Sequence, residues 1–536
     1  MVISSRFHSI DPVKFAKLGA FICAFLFTFG SHYAGHTLAP LKADLKASLN
    51  ITNAQYGVLQ SSVSLVNSFI PLFGGIFVDS FGTGTGSLVS SFLIVVGQSI
   101  VSVGVQKGTY GVVIAGRVLF GVGSGTVVIA QESILGKWFR GKGLTLALAS
   151  LFSISRLASF LANVVAVPIK NATGFYGNAF WVATGVCIFC FFVNIVFVYF
   201  ANRAEHHSTV ASSTPNVNYL RFLKRNRTFH LRRVLYLPLS YWLIVFLQML
   251  LAGLWTSFLH VGTELVQIRF GEAQAIAAFN AGIGQTVPIV VSPFWGALVD
   301  RFGRRVCTIF LSSIILVVSQ CILGFLEVTP IVGIVLFSVS LTLGPIGLVS
   351  SIPLLLQPDL IGTGYGIFKV SDNIGSTLFD IGIGYIQDAT PGRGYGGVIV
   401  FFLLIASIST LASVLLWIVD WRLGEGILEA GHKKRTILLD KWQADRQETE
   451  QSVEKAGNRE QSMEKQRKVT NEEMAQQDVM PHERKTVCMA MCKAPRTEPA
   501  TSEALYHNYF FGAVILVLII ASFCLYFVAI ARNVMQ

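Results

Sequence analysis

Thirteen apolar runs, each long enough to cross a lipid bilayer as a helix, recur along this chain of 536 residues. A hydrocarbon core about 30 Å thick takes roughly 20 helical residues. No water is available there to satisfy peptide groups, so each run must bond internally as an α-helix. The runs fall near 15–40, 56–80, 85–106, 110–135, 143–168 and 179–201. A second set follows near 238–260, 273–299, 306–327, 330–356, 362–387 and 397–419, and a lone run covers 508–531. The predicted class is an all-α membrane protein. Its expected organisation is a cytosolic N-terminus (1–14), a six-helix bundle (15–201), a central cytosolic loop (202–237), a second six-helix bundle (238–420), a charged tail (421–505) and an extra transmembrane helix (506–536). The tail is rich in Glu, Gln, Lys and Arg and has few large apolar residues, so it is expected to be disordered.

Composition agrees with lipid as the main solvent. Only 13% of residues are charged, against about 25% in soluble domains. The net charge of +12 does not point to nucleic acid, because the basic residues stand in short clusters between apolar runs. With both ends of the twelve-helix unit placed in the cytosol, the inner side collects sixteen basic residues, among them Lys137, Arg140, Lys142, Arg221, Lys224 and Arg225. The outer loops hold six: Lys42, Lys46, Lys107, Lys170, Arg269 and Arg393. This is the asymmetry of the positive-inside rule. The sequons at Asn50 and Asn171 then face outward, as candidate glycosylation sites. Arg6, Lys14 and Lys17 precede the first run without a small-residue cleavage site, so that run is expected to be retained. Cys187-x-x-Cys190 lies inside a run and reads as a pair of small apolar fillers. No nucleophile with a base and no metal-ligand cluster is found, so neither catalysis nor a metal or cofactor is expected.

Six runs, a polar loop and six more runs suggest two parallel halves, which should show matching features at matching places. Gly75-Ile-Phe-Val-Asp79-Ser80-Phe-Gly82 follows the second run, and Gly296-Ala-Leu-Val-Asp300-Arg301-Phe-Gly303-Arg304-Arg305 follows the eighth. The shared spacing fits a gating loop. Its glycine permits close helix approach, its Asp can accept hydrogen bonds from a facing helix N-terminus, and its Arg residues hold carboxylates. The first copy carries Ser80, Thr83 and Gly84 where the second is basic, which implies a weaker ionic latch. The fourth run adds Gly116-Arg117-x-x-x-Gly121-x-Gly123-x-Gly125. Its glycines suit tight packing, and Arg117 is placed near the outer surface, as a functional residue or a snorkelling one. Both patterns resemble signatures of the major facilitator superfamily, which implies two pseudo-symmetric six-helix bundles.

Ionisable groups at membrane depth are costly and usually face a cavity. Arg156 lies about twelve residues, roughly 18 Å, into the fifth run, near the bilayer centre. In the eleventh run Lys369, Asp372, Asn373, Ser376 and Asp380 share one face. Lys369 and Asp372, three apart, can neutralise each other. Asp380 has no partner of that kind and is the stronger candidate for contact with substrate or proton. Glu132 stands close to Lys137 and Arg140 and faces either the cavity or the interface. His32 and His36 lie near the outer end of the first run, as lumenal pH sensors or ordinary interfacial residues. Arg156 in one half and acidic groups in the other would suit a small zwitterion.

Within the superfamily, three stretches resemble one branch. They are Gly116 to Gln131, Trp138-Phe139-Arg140-Gly141-Lys142 with Ser155-Arg156, and Ile361-Gly362-Thr363-Gly364-Tyr365-Gly366 to Asn373. The branch is the lysosomal dipeptide transporters, the major facilitator superfamily domain-containing protein 1 family. The resemblance implies a uniporter that exports dipeptides from an acidic lumen to the cytosol, assisted by a glycosylated accessory membrane subunit. It implies that Arg156 binds the dipeptide carboxylate, and that the membrane is lysosomal or vacuolar, with the plasma membrane as the other placement. The family's helix-4 glutamate falls at Gly125, which puts a preference for cationic dipeptides in doubt unless Glu132, Asp372 or Asp380 replaces it. Two other functions fit the residues. One is an organic-anion or monocarboxylate carrier that uses Arg156 and Lys369; the other is a non-transporting sensor or scaffold that signals through the tail.

Overall fold

The computed structural model describes residues 22–70, 73, 83–138, 144–211, 237–356, 361–431, 434–435 and 437–438. For 132–138, 144–148, 201–211, 361–363 and 393 it describes the backbone alone. Every regular element among the described residues is helical. The first half holds α1 (Phe29–His36), a 3₁₀ turn (Ala39–Leu41), α2 (Lys42–Leu49), α3 (Asn53–Asn67), α4 (Thr83–Lys107), α5 (Tyr110–Trp138), α6 (Leu144–Thr173) and α7 (Gly177–Ala211). The second holds α8 (Leu239–Phe270), α9 (Gln274–Ile283), α10 (Thr286–Phe302), α11 (Arg305–Phe325), α12 (Pro330–Leu355), α13 (Ile361–Ala389) and α14 (Gly396–Leu423). Among the described residues nine helical segments are long and apolar enough to cross a membrane. Although α13 has 29 residues, it is too polar to be counted with them. The N-terminal segment, the first gating loop (Gly75, Asp79, Gly82), most of the central loop and tail, and the thirteenth run lie outside the described residues.

Local chemistry accounts for the main departures from the expected spans. The eighth run is two helices, α9 and α10, broken at Gly284 and Gln285. Pro288 lacks an N–H and its ring crowds the carbonyl four residues back, so the hydrogen-bond ladder fails just upstream of it. The seventh run continues to Phe270, well past the expected end at 260, and stops where Gly271 adopts φ 68°. Helix α3 starts with a capping box, in which the Gln55 N–H donates to Thr52 Oγ1 (3.1 Å) and the Thr52 N–H donates to Gln55 Oε1 (2.8 Å).

Each half buries its own apolar core. One cluster runs from Leu237 through Trp255, Phe337 and Phe402 to Leu428, wholly within the second half. In the first half, one cluster gathers around Leu41, Tyr56 and Phe180 and another around Phe27, Phe120 and Phe197. Among the described residues two apolar clusters join the halves: Ala278 of the second half packs into the cluster around Leu41, and Val58 and Leu65 meet Ile381. Helix α8 is buried along nearly its whole length, whereas α7 turns Trp181, Phe189, Phe192 and Tyr199 outward, as a helix facing lipid does. Cys187 and Cys190 are free thiols packed on Gly30, whose N–H donates to Cys190 Sγ (3.2 Å).

Candidate functional site

The halves meet along two helix pairs. Helix α3 crosses α13, and a Cβ at Gly57 would run into the Asp380 backbone while one at Gly384 would run into that of Asn53. Helix α6 lies against α9 and α10. There Ser153 Oγ donates to the Pro288 carbonyl (3.3 Å), and Gly282 faces Phe160, Asn163 and Val164.

Arg156 sits on this second seam. Its guanidinium donates to Gln285 Oε1 across the halves (3.3 Å) and stacks over the Phe152 ring (4.6 Å from the centroid). Its Nε is buried without a hydrogen-bond partner among the described residues. Asp372 lies within its electrostatic reach, and His32 within reach of both Arg156 and Lys369. The structure therefore brings Arg156 together with the cytosolic part of the α13 stripe. Lys369 Nζ donates to Asp372 Oδ2 (2.6 Å), the pairing its spacing predicts. Asn373 and Ser376 are buried and bond back to their own helix, to the Lys369 and Asp372 carbonyls.

Asp380 is drawn elsewhere. It is 4% exposed, and both carboxylate oxygens lie 3.0–3.1 Å from His260 Nδ1 on α8. The partner missing from its own helix is thus supplied from α8, 120 residues away in sequence. Arg117 departs from expectation. It is 2% exposed and does not snorkel, because its guanidinium donates to the carbonyls of Leu59 (3.4 Å) and Gln60 (3.5 Å) and to Gln60 Oε1 (2.9 Å). The glycines around it serve packing. Gly116 and Gly123 meet α4, Gly121 meets Val63 and Val66, and a Cβ at Gly125 would strike Asn67 Oδ1. For Glu132 only the backbone is described, in α5.

Above the α3/α13 crossing, on the side assigned to the outside, an ionic network closes the seam. Lys42, 2% exposed, pairs with Glu264 (2.6 Å) and donates to Gln387 Oε1 (2.9 Å) and the Tyr395 hydroxyl (3.0 Å). Lys46 adds a second cation to Glu264 at 3.1 Å. Asp388 accepts from the N–H groups of Asn53 (3.2 Å) and Ala54 (2.8 Å), so a carboxylate of one half caps a helix of the other. Lys170, Asp44 and Gln274 make a further cross-seam triad at 2.6–2.7 Å. Asn50 and Asn171 are exposed on this same side. Sequence reasoning missed Glu264, because ending the seventh span at 260 left it in a loop. The available signal was His260 and Glu264, four apart on one helical face.

At the opposite end, the second gating loop is held by its own half. Gly303 (φ 77°) packs on Ala430, and the N–H groups of Arg304 and Arg305 donate to the carbonyls of Glu429 (3.3 Å) and Leu428 (3.2 Å). The Glu429 carboxylate accepts from the Cys307 N–H (2.8 Å), near the start of α11. Asp300 lies 3.7 Å from Arg305, and its carbonyl accepts from Arg435 (3.5 Å). Gly296 is buried, and the Arg301 guanidinium stacks on Phe302.

Two helical halves with separate cores, polar groups at their seam and ties at the outer end define a multi-pass membrane protein of the transporter class. The Major Facilitator Superfamily profile matches residues 20–379 and 265–534, and the chain belongs to that family. Curated relatives include the "Lysosomal dipeptide transporter MFSD1" of Homo sapiens, 24% identical over 80% of this chain and 91% of its own length. The Mus musculus protein of that name is 26% identical over 80% and 92%. The Danio rerio one is 26% identical over 73% and 85%. Among solved structures, a peptide transporter (POT) in complex with sulfate superposes with a TM-score of 0.57 at 14% identity, covering 79% of this chain and all of its own. The nucleoside transporter NupG gives 0.55 at 12%, covering 74% and 99%. These likenesses establish the major facilitator fold.

Proposed function

We propose that this chain is a dipeptide uniporter working by alternating access, carrying a dipeptide or related small zwitterion from an acidic organelle lumen to the cytosol. The carrying observation is Arg156, a half-buried cation that reaches from the first half to Gln285 of the second with Asp372 nearby. A substrate carboxylate can replace Gln285 as its acceptor, because a bidentate guanidinium–carboxylate pair is stronger than a single bond to an uncharged amide oxygen. The names of the relatives support the substrate class and a lysosomal or vacuolar membrane. The separate cores and narrow seam support rocking of two rigid halves around a central site. The glycosylated accessory subunit expected from the resemblance remains part of the proposal.

In reconstituted proteoliposomes, Arg156→Ala is expected to abolish dipeptide uptake, and Arg156→Lys to reduce it strongly because a lysine cannot offer a planar fork. Uptake at the wild-type rate in Arg156→Ala removes this residue from the site.

One observation favours the organic-anion reading. Asp372 is already paired to Lys369 at 2.6 Å, so Arg156 dominates the local charge. A competition experiment separates the two: neutral dipeptides should displace labelled substrate, and a simple monocarboxylate that displaces it equally well supports the anion carrier. Gly125 offers no carboxylate at that position, and Asp372 and Asp380 are already paired with Lys369 and His260, so basic dipeptides should gain no advantage over neutral ones in the same assay.

A further inference from the structure

The His260–Asp380 pair lies in the seam between the central Arg156 site and the outer ionic network. It borders a small cavity with room for about one water molecule. Both walls contribute: Lys42, Asn53, Tyr56 and Gln60 from the first half, and His260 and Asp380 from the second. The Tyr56 hydroxyl donates to the His260 carbonyl across the gap (3.2 Å), and Gln60 Nε2 donates to that hydroxyl (2.8 Å).

The geometry points to a proton-binding site at His260, whose occupancy sets how firmly the outer face is shut. This rests on the transporter reading and deepens it. With the imidazole neutral, Nδ1–H donates to the carboxylate and the pair carries one negative charge. His36 on α1 stands beside it (rings 6.3 Å apart), and Lys42 on α2 and Tyr56 on α3 line the shared cavity; further out lie Arg117 on α5 and Arg156 on α6, within electrostatic reach of His36, and Glu264 on α8, Asp388 on α13 and Tyr395 before α14, in the outer network. The first-half members that carry fixed charge, Lys42, Arg117 and Arg156, are all cations. A negative pair therefore pulls the halves together at the outer end. A proton taken up at Nε2 cancels that charge without breaking the Nδ1 hydrogen bond, and the attraction across the seam is lost. Acid on the outer side thus favours the outward-open state, in which the site can load. The proton is returned to the same side on closing, so net transport remains uniport.

The test uses the full chain without substrate, so that a wrong substrate assignment does not affect it. Spin labels carried by unnatural residues at Phe175 and Glu327, exposed positions between α6 and α7 and between α11 and α12, report the outer separation in lipid nanodiscs. As the outer side is acidified from neutral, the long-distance population should grow relative to the short by up to about tenfold per pH unit, the limit for one linked proton. His260→Gln should abolish this response; if that variant fails to fold, Asp380→Asn, which keeps the shape and removes the charge, should weaken it. An unchanged response in His260→Gln overturns the proposal, as does a wild-type chain whose distances ignore pH. A response kept in His260→Gln but lost in His36→Gln also overturns it and moves the site to α1.

Discussion

At the scale of single residues, long-range ionic pairs decide the state in which the chain is held. Lys42 is buried against Glu264, and deleting one partner of a buried pair costs about 3–5 kcal/mol, largely through the charge left behind. Lys46 remains beside Glu264 and will recover part of that. Lys42→Ala should therefore weaken the closed outer face by about 3 kcal/mol or less, enough to shift the open-to-closed ratio by up to roughly a hundredfold. The spin-label pair measures this directly, and a closed population equal to wild type would show that the network adds nothing to gating. The Lys369–Asp372 pair could be read from a spacing of three on one helix. No such local rule links His260 to Asp380 or Lys42 to Glu264, which are more than a hundred residues apart.

Among the elements, the segment after α14 is the least expected. Counted with the tail, it nonetheless places Ile427 and Leu428 in the second-half core at 0% exposure. It also supplies backbone acceptors and the Glu429 carboxylate to the loop and helix start at Arg304–Cys307. Deletions meant to test a signalling role for the tail should begin after Leu438. Truncation after Gly424 removes two buried aliphatics that truncation after Leu438 keeps, each worth about 2 kcal/mol or more, so it is expected to melt lower in detergent than the longer chain. Equal melting of the two truncations would show that the clasp adds no stability. The segment was misjudged because its composition is polar on average, and only the docked conformation shows which two residues turn inward.

At the scale of the whole molecule, most of the apolar core lies within one half or the other, and in the proposed cycle the halves are the moving parts. The ties from Lys42 to Glu264, from Asp388 to α3 and from Lys170 to Gln274 close one end of the seam, the end that the expected orientation assigns to the outside. In the proposed cycle a substrate arriving on that side first breaks these contacts, and binding of its carboxylate at Arg156 then favours closing again.

Hydrophobic run length is enough to determine the approximate limits of most spans among the described residues, because lipid admits few alternatives to a helix of bilayer length. Charge asymmetry gives their expected orientation, and the repeated Gly-x-x-x-Asp-x-x-Gly spacing discloses the two halves. Helix rotation, tilt and depth are set by neighbours and leave no periodic trace in a uniformly apolar run. Tertiary packing alone decided that Asp380 meets His260, that Arg117 is buried on Gln60, and that outer lysines lock the seam.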